Sequence, residues 1–82
     1  MIDVTEFRRW LFENTEYSDA VINDIVSRIK RADTILEWYD DEVYQFYLER
    51  EKAYKDLSVS VRSQIKKAVK LYFSFFSASK SK

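Results

Sequence analysis

Neither glycine nor proline occurs anywhere in the 82 residues. Tight β-hairpin turns draw on residues at positive φ, with glycine the default and asparagine the next choice. The composition therefore disfavours a β-rich fold. It suits helices joined by short turns of Asn, Asp, Ser and Lys, and the expected fold class is all-α. The length is that of one domain rather than two. A domain of this size buries only about 60% of its unfolded surface, so its core must be efficient. The apolar supply is adequate, with 46% of residues hydrophobic and 17% aromatic, and 34% charged residues favour a soluble, folded chain.

Two further absences narrow the chemistry. There is no cysteine, which removes disulfides and thiolate ligands and agrees with a cytoplasmic location. There is no histidine, which removes the usual general base and the commonest metal ligand. Ser-His and Cys-His nucleophilic catalysis within the chain is excluded. The reading is a non-enzymatic domain with no cofactor and no metal. No run approaches the ~20 apolar residues of a membrane span. The opening MIDVTEFRRW is acidic and amphipathic, unlike a signal peptide.

The apolar spacing predicts four helices. The first runs over about 4–13, with Asp3 as N-cap and Glu6 completing a capping box. Val4, Phe7 and Leu11 form its stripe, and Asn14 ends it in the left-handed region. The second starts after Ser18 and carries Ile22, Ile25, Ile29, Ala32 and Leu36 on one face. It reaches about residue 37, with Asp33-Thr34 as an alternative stopping point. The third opens on the acidic turn Asp40-Asp41-Glu42, suited to a helix N-terminus, and places Val43, Phe46, Tyr47 and Tyr54 on one face. The fourth starts after Ser58 or Ser60. Val61, Ile65, Ala68, Val69, Tyr72 and Phe76 make its apolar stripe, while Leu71 and Phe75 either close on the first helix or form an exposed strip. Residues 1–76 read as the helical domain, and residues 77–82 as a polar, basic tail or the start of a linker.

Charge is unevenly placed. Residues 1–57 hold 8 Lys/Arg against 14 Asp/Glu, whereas residues 58–82 hold 6 Lys/Arg and no acid. Such segregation fits a polyanion contact through the basic part; it also fits internal pairing of basic and acidic helices. Arg62, Lys66, Lys67 and Lys70 crowd one side of the fourth helix. A helix shaped for solubility alone mixes signs and gains i,i+4 pairs, so an all-basic face favours phosphate as its partner. Arg28 and Arg31 on the second helix are weaker candidates, equally well explained as ordinary surface charge. Nearby Asp24 would repel phosphate. Ser63 and Gln64 have the chemistry to meet base edges, with plain solvent exposure the simpler explanation. Trp10, Trp38 and Tyr39 are assigned to packing rather than base stacking, and the acids at 40–42 to the helix dipole rather than to a metal.

The pattern Leu57-Ser58-x-Ser60-x-x-Ser63-x-Ile65-x-x-Ala68-x-x-x-Tyr72-Phe73-x-Phe75-Phe76 resembles the last helix of the core-binding domain of phage integrases, the tyrosine recombinase family. Ser18-x-x-Val21-x-x-x-Ile25-x-x-x-Ile29 is similar to an earlier helix of that domain, and Phe7-x-x-Trp10-Leu11 to its first. Val21 and Val61 stand where members often have threonine, near helix N-termini that in the family approach phosphates. The resemblance spans about residues 4–77. It implies a SAM-like orthogonal four-helix bundle that contacts double-stranded DNA through its second and fourth helices. With the charge placement above, the expected contacts on these helices are Arg62, Ser63, Lys66, Lys67, Lys70, Arg28 and Arg31. It also implies that catalysis belongs to a separate C-terminal domain, reached through SASKSK, and that none of the six tyrosines is the nucleophile. The alternative function is a protein-interaction module, with a homodimer as one form of it, using Leu71, Phe75 and the first helix.

Overall fold

The computed structural model describes residues 2–80, with side chains through residue 78. It contains α1 (Val4–Asn14), α2 (Asp19–Ile35), α3 (Tyr44–Arg50), α4 (Lys52–Lys55) and α5 (Val59–Lys80). No strand occurs among the described residues, so the all-α expectation holds.

α1 starts where Asp3 caps it, its carboxylate accepting from the Glu6 N–H at 3.1 Å. The other half of the predicted capping box takes a different partner. The Asp3 N–H donates to the Tyr72 hydroxyl on α5 at 2.9 Å. Phe7 and Leu11 are fully buried. The predicted left-handed stop at Asn14 does not form. Asn14 is the last helical residue, and no described residue has positive φ. Thr15 ends the helix instead, in extended conformation, with both its N–H and its hydroxyl bound to the Leu11 carbonyl. With that carbonyl satisfied, no left-handed residue is required.

α2 is capped by Ser18, whose hydroxyl accepts from the Val21 N–H. Ile22, Ile25, Val26, Ile29 and Ala32 are its buried face. It passes through Asp33-Thr34 without a break and stops at Ile35. The Asp33 carboxylate then accepts from the Trp38 N–H at 2.9 Å, drawing the chain across the helix end.

The third predicted helix is the main correction. It begins at Tyr44, past the acidic turn, and divides at Glu51, whose backbone is extended at φ −70, ψ 136. Val43, Phe46 and Tyr47 are exposed, and Tyr44 and Leu48 are buried in their place. Both sets have helical spacing, so periodicity alone does not choose between them. Hydrogen bonding supplies the choice: the Tyr44 hydroxyl donates to the carbonyl of Leu36 at 2.6 Å, just past the end of α2. Helix ends leave carbonyls without intrahelical donors; the other face also carries a phenol, on Tyr47, but it is the Tyr44 hydroxyl that reaches this carbonyl. The division at Glu51 has a similar cause. On a continuous helix Tyr54 would point about 120° away from Leu48. The break turns Tyr54 inward, where its hydroxyl donates to the Arg62 carbonyl on α5.

α5 has 22 residues, about 33 Å at 1.5 Å per residue, close to the 34 Å longest extent of the molecule. It packs chiefly on α2 and also on α1. Ile65, Ala68, Val69, Tyr72 and Phe75 are its buried side chains. Phe75 closes on α1, with ring centroids 5.5 Å from Phe7 and 6.0 Å from Trp10. Trp38, from the α2–α3 connection, stacks edge-on against Tyr72 at 4.8 Å and lies equally close to Phe76. One aromatic network thus joins both ends of the chain to its middle. The helix continues through residues 77–80, where the sequence suggested a tail, and residues 81–82 lie outside the described residues.

Candidate nucleic-acid interface

The basic residues of α5 are positioned by its N-cap and its buried face. The Ser58 hydroxyl accepts from the Val61 N–H, which sets the helix start. Burial of Ile65, Ala68, Val69 and Tyr72 then fixes the rotation and leaves Ser63, Lys66, Lys67 and Lys70 exposed.

These residues do not form one uninterrupted stripe. Arg62 is half-buried, and with Ser63 and Lys66 it lines a shallow groove shared with Glu49, Tyr54 and Val59. Its backbone carbonyl receives the Tyr54 hydroxyl at 2.9 Å. Burial raises the Tyr54 phenol above its ordinary pKa, and the Gln45 side chain and, less, the Arg62 guanidinium offset part of the rise. Lys70 lies further along, on a groove with Asp41, Glu42, Tyr44, Gln45 and Phe73. The acidic segment before α3 therefore lies beside one of the predicted DNA-contacting cations.

Lys67 faces the opposite edge of α5. Its ammonium lies 5.5 Å from the Tyr17 ring centroid, a cation–π distance. It also lines the seam between α5 and α2 with Val21, Asp24, Ile25, Arg28, Gln64 and Ala68. In this seam Arg28 donates through Nε and Nη2 to the Gln64 side-chain oxygen, at 2.8 and 2.6 Å. The structure thus brings Arg28 and Lys67 together and groups Arg62, Ser63 and Lys66 separately. Arg31 and Ser27 are exposed on α2. Asn23 accepts from the Arg8 guanidinium and ties α1 to α2.

The Arg28–Gln64 bond was not legible in the sequence. The partners are 36 residues apart, and nothing in either helix's spacing pairs them. The exposed apolar patch of Phe46 and Tyr47 on α3, with Val43 at its N-cap, was hidden for the opposite reason: its spacing looked like core. Arg50 lies over the Phe46 ring at 5.5 Å and covers part of that patch.

Among the described residues, no group of three or more His, Cys, Asp or Glu is placed to hold a metal. No described helix is long and apolar enough to cross a membrane. No family model matches the chain, nor does any curated protein or solved structure.

Proposed function

We propose that this chain is a non-catalytic DNA-binding module, of the kind that serves as the core-binding domain of an integrase-like recombinase. Its α3 and α4 together take the place of the third helix of a SAM-like four-helix bundle. It holds duplex DNA mainly through phosphates, with α5 as the principal element and α2 beside it. A C-terminal catalytic domain of a parent protein is the implied second partner.

One observation carries the reading. The longest helix exposes Ser63, Lys66, Lys67 and Lys70, no acid occurs from residue 58 onward, and α2, which packs on it, exposes Arg31. Lysines serve phosphates as point charges, and a helix laid along the duplex meets phosphates at intervals that exposed bases on successive turns can match. The test is anisotropy of a labelled duplex titrated with the chain over a range of salt. Three or four phosphate contacts predict a log–log slope of roughly −3, at −0.9 per contact. Absence of salt-sensitive binding at low ionic strength overturns the reading.

A second reading, a protein-interaction module, gains support from the exposed Val43, Phe46 and Tyr47. It moves away from Phe75, which is buried against α1. Loss of a concentration-dependent sedimentation coefficient in Phe46→Ser would favour this reading over DNA binding.

A further inference from the structure

The seam between α2 and α5 differs chemically from the lysine-bearing face of α5. Its polar residues are of mixed character: Arg28 and Lys67 donate, Asp24 accepts, and Gln64 does both. Val21, Ile25 and Ala68 supply the apolar part of the lining. A carboxylate is unfavourable in a surface meant only for phosphate. It is suited to a surface that meets base edges, because cytosine presents its N4 amino group as a donor in the major groove.

The Arg28 guanidinium is also held in a particular way. Gln64 Oε1 accepts from both Nε and Nη2, at 2.8 and 2.6 Å. These two donors form the side-on edge of the planar group. Occupying that edge orients the other one, in which Nη1 and the second Nη2 hydrogen form a two-pronged donor. Gln64 also stands on a different helix from Arg28, so the orientation is referred to the packed core rather than to one flexible side chain. A free arginine loses rotamer freedom on binding, whereas this one has lost part of it in folding.

The geometry points to a base-reading role for this seam: Arg28, held by Gln64, donates its end-on pair to O6 and N7 of a guanine, and Asp24 accepts from a cytosine amino group beside it. This inference rests on the DNA-binding reading above and adds sequence preference to it. Lys66, Lys67 and Lys70 supply affinity for backbone, and the seam supplies discrimination between bases. The same two-pronged donor fits a phosphate, so the test must separate base from backbone.

The experiment is selection of binding sites from a pool of random duplexes by the full chain, followed by affinity measurements on the enriched site. The expected site contains a G·C pair whose guanine cannot be replaced by 7-deazaguanine, which lacks N7, without about a tenfold loss of affinity. Arg28→Lys keeps the charge and removes the fork. It should abolish the G·C preference. Gln64→Ala should weaken the preference several-fold with the charge intact. Both positions lie at the surface, and a circular-dichroism melt checks that each variant folds. Salt-sensitive duplex binding with no enriched guanine overturns the base-reading role and leaves the DNA-binding reading standing. So does an enriched guanine that tolerates 7-deazaguanine, or a preference that survives Arg28→Lys. No salt-sensitive binding by the unaltered chain overturns both.

Discussion

The Tyr72 hydroxyl accepts a 2.9 Å hydrogen bond from the backbone N–H of Asp3, 69 residues earlier in the chain. Asp3 is the N-cap of α1, so a side chain of the last helix satisfies the backbone at the start of the first. Tyr72→Phe keeps the ring contacts with Phe7 and Trp38 and removes only the acceptor. The expected cost is about 1 kcal/mol. It should appear as a lower urea midpoint with an unchanged m-value. An unaltered midpoint would mean that water replaces the phenol at no cost.

Burial raises the phenols of Tyr44, Tyr54 and Tyr72 above the ordinary value of 10.0, Tyr44 the furthest. In the unfolded chain each ionises near 10. Below that pH both states keep their protons and this contribution to stability is fully present. As pH rises past about 10, the unfolded chain releases protons first, and stability falls until the folded-state values are reached. Chemical denaturation at a series of pH values should show this alkaline decline. Tyr44→Phe should start from a lower stability, having lost the bond to Leu36, and decline less steeply above pH 10.

Phe7 is fully buried, with its ring against Trp10, Tyr72 and Phe75, whereas Phe12 on the same helix is 70% exposed. Phe7→Ala should destabilise by about 3–5 kcal/mol, through lost burial and the cavity left behind. Phe12→Ala should stay within about 0.5 kcal/mol. A thermal melt of the two variants compares them directly, and equal effects would contradict the packing of α1 described above.

Lys66 and Lys70 are both exposed on α5, but Asp41 and Glu42 share a groove with Lys70. Under the proposed function, Lys66→Ala should reduce the salt slope of DNA binding by about 1, the signature of one phosphate contact. Asp41→Asn with Glu42→Gln should raise affinity at low salt, because it removes two negative charges from the edge of the binding face. The Asn side chain preserves an acceptor for the Val43 N–H, which Asp41 now binds. Unchanged affinity in the double variant would place Lys70 outside the contact.

The sequence made the helical class plain through its lack of glycine and proline, and it located α1, α2 and α5 closely through their caps and stripes. Asp3, Ser18 and Ser58 each cap where their side-chain chemistry suggested. What it could not convey was which of two equivalent spacings in the third segment would turn inward. Val43/Tyr47 and Tyr44/Leu48 are both i,i+4 pairs, and the choice rests on a carbonyl of another element. The candidate interface was legible to the same depth. Charge placement picked out α5, but the division of its bases among three grooves depends on which elements lie alongside. The Arg28–Gln64 bond is a tertiary fact of this kind.

The length and lateness of α5 have a consequence for synthesis. Phe7, Leu11, Ile22 and Ile29 are buried with α5 residues such as Ile65, Tyr72 and Phe75 completing the same core. On a ribosome, a nascent chain exposed only as far as Leu57 has made its first apolar faces and lacks the helix that joins them. Vectorial emergence thus cannot stabilise this module piece by piece. Its earlier helices wait, with their stripes open to solvent or to a shielding chaperone, until the final helix has left the exit tunnel.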